Sequence, residues 1–592
     1  MDTRIFGNKS RSPASGDALI RQAFRTLLPV QILSFATPTL TSILTGILIG
    51  NYLPPDALVA LGFVVPFNAF LAALATIVSS GARVICGRLI GRGELKQLDS
   101  AFTSSVAALT VLGAVITLLM LFFSAPVAGL LGATGSSAAA TAEYLRGLAV
   151  GIIPMLIIPC LMVFLQMENE SSFALISTVV LAVCSLVFGL INLKLFDGDI
   201  YGMGIASSLS QFVSCAFIAV HIARSDKLVG LDLRSIKRKL LIDMLKFGAP
   251  AAFASILYPL RNAVLNVVAL KYGGPDAVAS LAILCTAAAP FDAVNVGFGA
   301  VVLMFASVII GERDSELLKS LFRVSIRIGI VIAVIKVIVF AVFSKYLALL
   351  FGAAPEILGQ TVLLLVLYTI CMPLNIITVT FASIYQNLGK LRYMNILYIF
   401  SCFVIPIGFS YCFGSLLGVW LSYGVAEAIT VIILVAVPCI KNGKFTLDIK
   451  QLLMLDKGFE SGEKLSLSVH SVEDAIGCSE SIRSFCLKNG IDSRRSMLCS
   501  LCAEEMAVNV VTHGFTKTKK RDLGVEIFLL LDDGRINLRI MDNAPHFEPA
   551  EKLKYTDNDD PCKNIGIRMV TKIAEEMDYH STFNMNSLRM RL

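Results

Sequence analysis

The sequence predicts a polytopic α-helical membrane protein with twelve transmembrane helices in two parallel-repeat six-helix lobes, followed by a C-terminal α/β sandwich. Three observations predict this fold class. Hydrophobic residues make up 56% of the chain and charged residues only 16%, whereas a soluble domain carries about 25% charged residues. The apolar part consists of two copies of one unit. After residue 440 the composition becomes that of a soluble domain, which we call the tail.

The repeat is visible as one offset of 220 positions that holds over more than 100 residues. Pro55-Asp56-Ala57 returns as Pro275-Asp276-Ala277, and the same offset relates four further pairs: Gly91 and Gly311, Phe102 and Phe322, Gly132 and Gly352, Gln166 and Gln386. Register kept over such a length is typical of duplicated architecture. The basic stretch 223–247 connects the two copies.

The apolar runs set the predicted segments, because a membrane span needs about 20 mostly apolar residues. Six runs precede the connector, at 27–53, 57–81, 101–131, 145–166, 173–195 and 201–222. Six follow it, at 248–270, 277–310, 322–351, 361–387, 393–413 and 416–440. The predicted organisation is therefore an N-terminal segment (1–25), an N-lobe (26–222), the connector, a C-lobe (248–440), a linker (441–462) and a soluble domain (463–592). An even number of spans per lobe gives both lobes the same orientation.

Loop charges predict the orientation in the bilayer. The opposite loops carry only Arg146, Lys194, Lys271 and Lys345, while the connector and the loops on its side carry many more Lys and Arg. Because positive loops remain in the cytoplasm, we expect a multi-pass protein of the cell membrane with both termini cytoplasmic. We expect the protein to be embedded in the lipid bilayer and to have no nucleic-acid partner.

Three stretches resemble the multidrug and toxic compound extrusion (MATE) family. They are GILIGNYLPPDALVALGFVVPF from Gly46, GRLIGRGE from Gly87 and VVALKYGGPDAVASLAI from Val267, and the resemblance extends over residues 20–440. It implies two lobes around a cleft with alternating access, and export of cationic or amphipathic compounds in exchange for Na⁺ or H⁺. A flippase for lipid-linked glycans, from the same superfamily, is an alternative.

Charged side chains inside the spans are candidates for the transport path, because a charge is costly in the membrane. Glu427 lies in the middle of the last span, and Asp292 and Arg261 lie in the C-lobe, where they could pair between the first two helices of that lobe. Lys336 could extend its amine to the interface and is expected to be a structural residue. Many family members carry an acid midway along the first helix. This chain has none between Val30 and Leu53, so that ion-coupling role cannot be transferred here.

The tail alternates strand and helix patterns. Strands are predicted at 464–469, 524–531, 535–541, 579–584 and 588–592, with helices at 472–487, 493–513 and 564–577 and a polar loop at 547–563. Asp532-Asp533-Gly534 is a hairpin turn between the middle strands. This order predicts an α/β sandwich in which helices cover one face of an antiparallel sheet.

Three motifs of the tail, in this order, resemble the histidine-kinase-like ATP-binding fold, most closely the anti-sigma-factor serine kinases. The first is EEMAVNVVTH from Glu504, in which Glu505, Asn509 and His513 are spaced to share a helix face. By resemblance, Asn509 holds Mg²⁺ against the phosphates of ATP and Glu505 is the general base. The second is MDNAPHF from Met541, and the third is NIGIRMV from Asn564.

In MDNAPHF, Asp542 corresponds by resemblance to the acid that accepts the adenine amino group. In NIGIRMV, Gly566 lies in a glycine-led turn into a helix whose N-terminus receives phosphate. Two positions depart from the family pattern, since Ala544 and Asn564 stand where glycines are expected. A Cβ at either position hinders close approach of the backbone to a nucleotide.

The sequence therefore leaves several functions open. An ion-driven exporter whose tail senses ATP or phosphorylates a cytosolic protein partner is the first, and the lipid-linked glycan flippase is the second. A third is a membrane signalling protein whose tail is a serine kinase. The chain lacks the G-x-x-x-x-G-K-[ST] motif of P-loop pumps, so the tail does not make it a primary pump of that type.

Overall fold

A computed structural model describes residues 13–224, 230–443, 448–456, 459, 462–517, 523–532, 534–545, 565–582 and 585–592. The membrane part is entirely helical in these ranges. Its helices are α1 (Pro13–Tyr52), α2 (Pro55–Arg92), α3 (Lys96–Leu130), α4 (Gly135–Ala149), α5 (Ile152–Met167), α6 (Ser171–Leu195), α7 (Ile200–Arg224), α8 (Arg238–Gly311), α9 (Ser315–Val342), α10 (Ser344–Leu350), α11 (Pro355–Tyr368), α12 (Cys371–Asn387), α13 (Leu391–Ile399), α14 (Ile405–Phe413) and α15 (Leu416–Asn442). A short α16 (Ile449–Leu452) precedes the soluble domain.

Ten helices of the described residues are long and apolar enough to cross a membrane, and counting the pair α4 and α5, bent by 54°, as one span gives eleven. One of the ten, α8, has 74 residues. A straight helix of that length would extend about 110 Å, far beyond a bilayer. The left-handed Gly274 (φ 67°) breaks it into two arms, which correspond to the predicted spans 248–270 and 277–310. The predicted membrane fold is thus confirmed.

Helix α1 is shared between the lobes. By sequence it opens the N-lobe, and Ile49 near its end is buried in the N-lobe core, but Leu19 and Phe24 in its first half are buried in the C-lobe core. Phe24 stacks on Phe305 at 5.8 Å and contacts Phe298 at 5.9 Å. The buried Asp17 lies 3.4 Å from both Arg323 and Arg327 of α9. This half of α1 therefore ties the two lobes together.

The two lobes are in backbone contact at one end of the membrane part, the end that carries the tail. We call this the tail side. A Cβ at Gly311, the last residue of α8, would lie 2.9 Å from the Cα of Gly91 in α2. Gly81 and Gly87 of α2 are similarly pressed against Met244 and Ser307 of α8. Glycine is required at these crossings because any side chain would separate the helices.

The tail is a two-layer sandwich. Its five strands form one antiparallel sheet in the order β1-β2-β3-β5-β4, and three helices cover one face. The elements are β1 (Glu463–Val469), α17 (Val472–Lys488), α18 (Ser493–Asn509), β2 (Val525–Asp532), β3 (Arg535–Asp542), α19 (Ile565–Ile573), β4 (Glu576–Thr582) and β5 (Met585–Arg591). The predicted helix 564–577 is shorter than expected, because residues from Glu576 onward pair with β5 as a strand.

The second face of the sheet is also covered, which the sequence did not predict. It lies against the tail side of the membrane part, with Phe528 and Met541 5% exposed. Arg539 of β3 and Arg589 of β5, which we call the arginine pair, are direct neighbours across the two strands. Like charges placed opposite each other repel, so this pair needs acidic partners. The loop after α8 supplies them.

Candidate functional sites

The first candidate site lies in the C-lobe and is centred on Glu427 of α15. Its two carboxylate oxygens accept hydrogen bonds from Asn375 Nδ2 and Thr378 Oγ1, both at 2.8 Å. The two donors are three residues apart on α12, so they share one face of that helix. The half-buried Glu427 is therefore held between two helices by two polar side chains.

The network continues to Lys336 of α9. Asn375 Oδ1 accepts a hydrogen bond from Asn295 Nδ2 at 2.9 Å, and Asn295 Oδ1 accepts one from Lys336 Nζ at 2.8 Å. Lys336 is only 4% exposed. The suggestion that its amine extends to the membrane surface is wrong, because a hydrogen-bond acceptor lies within reach inside the lobe. Glu427 and Lys336 are thus the ends of one chain of hydrogen bonds across α15, α12, α8 and α9.

Asp292 and Arg261 lie in the same lobe but have other partners. Asp292 accepts hydrogen bonds from the Tyr368 hydroxyl at 3.2 and 3.3 Å. The Arg261 guanidinium lies over the rings of Tyr258 and Tyr423, at 5.1 and 4.8 Å from their centroids. Within the described ranges, no ion pair shorter than 4.0 Å joins Arg261 to Asp292. The two side chains therefore form no direct ion pair, and aromatic rings contact the cation.

The sequence did not reveal Asn295, Asn375 and Thr378 as members of this cluster. A signal was available, because Asn375 and Thr378 are polar residues at helical spacing within an apolar run. The cluster holds two carboxylates and two cationic side chains, so its formal charge is balanced. A carboxylate among amide and hydroxyl groups can bind a proton or a small cation.

The second candidate site lies in the tail, where α18 meets the start of α19. Glu505 of α18 is half-buried, and a Cβ added to Gly566 would overlap its carboxylate. Gly566 therefore lets the first turn of α19 approach α18 directly. The N–H groups of a first helical turn have no partner within the helix and can bind an anion such as phosphate. The Glu505 carboxylate lies directly beside this turn.

Asp542 is the last residue of β3, and two hydrogen bonds hold its carboxylate oxygen Oδ1 in place. Its Oδ1 accepts hydrogen bonds from the Ala544 amide at 2.9 Å and from Asn586 Nδ2 at 2.8 Å. Ala544, which replaces an expected glycine, is itself buried, and a Cβ at Gly514 would lie 2.9 Å from its methyl group. The methyl group therefore packs against the turn after α18.

Asn509 is the last residue of α18 and shares a face with Glu505. A π-helical turn, Val510–Gly514, follows at once and carries the exposed His513. Glu505 and Asn509 therefore lie in regular α-helix, whereas His513 lies in the wider π-helical turn. The expected loop 547–563 and Asn564 lie outside the described residues.

The arrangement can hold a nucleotide with its magnesium ion. Asn509 would contribute an amide oxygen to Mg²⁺, Gly566 the phosphate-binding turn and Asp542 a carboxylate for the adenine. Glu505 lies beside that turn and can take up a proton there. Of these residues, Glu505 and Gly566 are in direct contact, and Ala544, two residues after Asp542, packs on Gly514 after α18.

The membrane part and the tail match two different protein families. The MatE family model matches residues 31–191 and 250–412, once in each lobe and more than half of the chain in total. The chain belongs to the MatE family. The match confirms the resemblance drawn from the two repeat motifs, and its two blocks reproduce the internal duplication.

Curated relatives of this MatE protein cover its membrane part. The multidrug export protein MepA of Staphylococcus saprophyticus is 24% identical over 439 residues, which are 70% of this chain and 93% of that protein. MepA of Staphylococcus aureus strain MSSA476 is 24% identical over 427 residues, with the same coverage. The tail lies outside the MatE matches.

Solved structures share the fold. An outward-facing multidrug resistance MATE transporter of the MOP superfamily has a TM-score of 0.67 at 23% identity, covering 72% of this chain and 97% of its own. A MOP superfamily transporter from Pyrococcus furiosus, whose binding pocket has reverse polarity, has a TM-score of 0.64 at 23% identity, covering 71% and 96%.

The tail of this MatE protein is a histidine-kinase-like ATPase domain. The family model of that description matches residues 471–592, from the cap of α17 to the end of the chain. The match confirms the fold expected from the three motifs. The MatE protein therefore joins a transporter fold to an ATP-binding fold in one polypeptide.

Proposed function

We propose that this MatE protein is a secondary-active exporter of cationic or amphipathic compounds, driven by Na⁺ or H⁺. Its cytosolic tail binds ATP with Mg²⁺ and regulates transport or phosphorylates a protein partner. Family membership and the multidrug export proteins among its relatives support export. The observation that carries the coupling is the hydrogen-bonded, half-buried Glu427.

Charge balance explains how one ion can be exchanged for a cationic substrate. Glu427 and Asp292 offset Lys336 and Arg261, so the cluster is formally neutral when all four are charged. A proton or Na⁺ bound at Glu427 adds one positive charge in a medium that screens poorly. A cationic substrate in the cleft is then repelled, and the two cations exclude each other. Mutual exclusion at one carboxylate is the requirement for antiport.

The test is flux of a fluorescent lipophilic cation in proteoliposomes that hold the full chain, under an imposed Na⁺ or H⁺ gradient. Glu427→Gln keeps the shape of the side chain and its hydrogen-bond acceptor but cannot take up the ion. We expect this variant to lose gradient-driven flux.

Glu356→Gln is the matched control, because Glu356 is an exposed glutamate at the first turn of α11. It should transport as the parent does. Unchanged flux in Glu427→Gln under both gradients would remove Glu427 from the coupling mechanism and leave Asp292 as the remaining acid of the cluster.

ATP binding by the tail is tested separately, with labelled nucleotide and the full chain in detergent. Asn509→Ala should weaken binding of Mg²⁺-ATP but change binding of ATP without Mg²⁺ much less, because the amide contacts the metal. Glu505→Gln should bind nucleotide nearly as the parent does yet lose any phosphate transfer, since an amide cannot accept the proton. Equal Mg²⁺-ATP affinity in Asn509→Ala and parent would remove the metal role.

A further inference from the structure

The arginine pair holds the tail against both lobes. Arg539 donates to Glu312, and its Nη2 lies 3.0 Å from Asp314 Oδ2. Arg589 donates to the Gly91 carbonyl, and its Nη2 lies 3.2 Å from Glu312 Oε1. Gly91 belongs to the N-lobe, whereas Glu312 belongs to the C-lobe. Arg589 is thus a direct bridge between them.

The bridge lies where the two lobes close on the tail side. Gly91 and Gly311 are the repeat-related ends of α2 and α8, and their backbones touch. The Gly91 carbonyl is one of the last carbonyls of α2, which have no partner within the helix. Arg589 satisfies it from the tail. Separation of α2 from α8 at this point therefore breaks a charged hydrogen bond as well as helix packing.

The repeat itself shows that this contact is specific to the second copy. At the offset of 220, Arg92 at the end of α2 corresponds to Glu312 directly after α8, so the charge is reversed. An arginine at position 312 would repel the arginine pair. The sheet face that carries the arginine pair is therefore complementary in charge to Glu312 and Asp314 of the C-lobe.

We infer that the tail is a clamp on the membrane part: its sheet, through Arg589, holds the tail-side ends of α2 and α8 together. The clamp favours the conformation closed on the tail side, so the tail must release Gly91 before the lobes can open there. This inference rests on the proposed alternating-access transport.

The same strands also reach the candidate nucleotide site. Asn586 of β5, three residues before Arg589, donates to Asp542, and Asn543 beside it donates to Gln22 of α1. A nucleotide bound at Asp542 thus acts on residues that contact the membrane part. Nucleotide binding should therefore change the strength of the clamp.

The test is hydrogen exchange of the full chain in nanodiscs, read at the tail-side ends of α2 and α8, without nucleotide and without substrate. Arg589→Gln removes the charged bridge, and exchange there should be roughly tenfold faster or more, the size expected for one hydrogen bond to a charged group. Arg591→Gln is the matched control, because Arg591 lies on the same strand but pairs with the exposed Glu576 within the tail. It should leave exchange at both helix ends unchanged.

Exchange of the β2 amides shows whether the tail of each variant is folded. If Arg589→Gln unfolds the tail, Glu312→Gln tests the same bridge from the membrane side, with the same expected direction. Equal exchange of parent and folded variant at α2 and α8 would overturn the clamp. Absent flux in the parent protein would instead count against the proposed transport and leave this exchange result intact.

Discussion

Replacing Arg539 by Met measures how strongly the tail is held on the membrane part. The side chains of Arg539, Glu312 and Asp314 are 4%, 3% and 1% exposed, so the ion pairs are buried. Arg539→Met keeps the contact of the aliphatic stem but leaves two carboxylates in the interface. Removing one partner of a buried ion pair costs about 3–5 kcal/mol, and we expect docking to weaken by that amount.

A matched triple variant separates charge from packing. It combines Arg539→Met with Glu312→Gln and Asp314→Asn, so that no uncompensated charge remains. Asp314 also caps α9 by accepting a hydrogen bond from the Leu317 amide at 2.8 Å, and asparagine is a good replacement at that position. The triple variant should therefore recover most of the docking free energy, because replacing both partners of an ion pair is often nearly neutral.

The assay is native-state hydrogen exchange of the turn between α8 and α9, which the sheet covers in the docked tail. Its opening free energy reports undocking, provided that the β2 amides remain protected. A decrease in docking free energy of less than about 1 kcal/mol in Arg539→Met is the size expected for an exposed ion pair. That result would refute the burial of these ion pairs. If the triple variant docks as weakly as Arg539→Met, uncompensated charge is not the cause of the weaker docking.

Three further predictions concern the interface, the nucleotide site and the topology. Burial, followed by the arginine pair, lowers the pKa of His580 from 6.5 to about 3, with Glu312 also lining its cavity. Because protonation of His580 opposes docking, the docking free energy should be constant above pH 6.5 and decrease below it, by up to about 1.4 kcal/mol per pH unit. Hydrogen exchange in the turn between α8 and α9 measures this, and His580→Gln should remove most of the pH dependence. Gly566→Ala should displace the Glu505 carboxylate and weaken ATP binding roughly tenfold without unfolding the tail, measured by titration with labelled nucleotide; unchanged affinity would show that the site tolerates a Cβ. Ser235→Cys, in the connector, should react with impermeant maleimide in inverted vesicles above the level of the parent, and reaction in intact cells would contradict the cytoplasmic orientation.

The sequence predicted the membrane fold well because its signals are local. Each apolar run specifies a span by its own length, and the duplication checks one lobe against the other. It also predicted the strands and helices of the tail, except where pairing with β5 makes a strand of Glu576 onward. The histidine-kinase-like fold of the tail could be predicted because its motifs keep their spacing within single elements; the roles of Glu505, Asn509, Asp542 and Gly566 stay predictions.

What the sequence did not predict depends on contacts between distant segments. Arg539 and Arg589 are neighbours only through the register of β3 and β5, and their acidic partners lie more than 200 residues away. The burial of Lys336 could not be predicted because its acceptor, Asn295, is supplied by another helix. Spacing along one chain carries no information about such pairs until the elements are packed.

The most direct test of the central claim is transport by the purified full chain in proteoliposomes without ATP. If the coupling ion binds in the C-lobe and the tail only regulates transport, as we propose, an imposed Na⁺ or H⁺ gradient alone should drive movement of a lipophilic cation against its own gradient. Cation movement that requires ATP and ignores both ion gradients would contradict it.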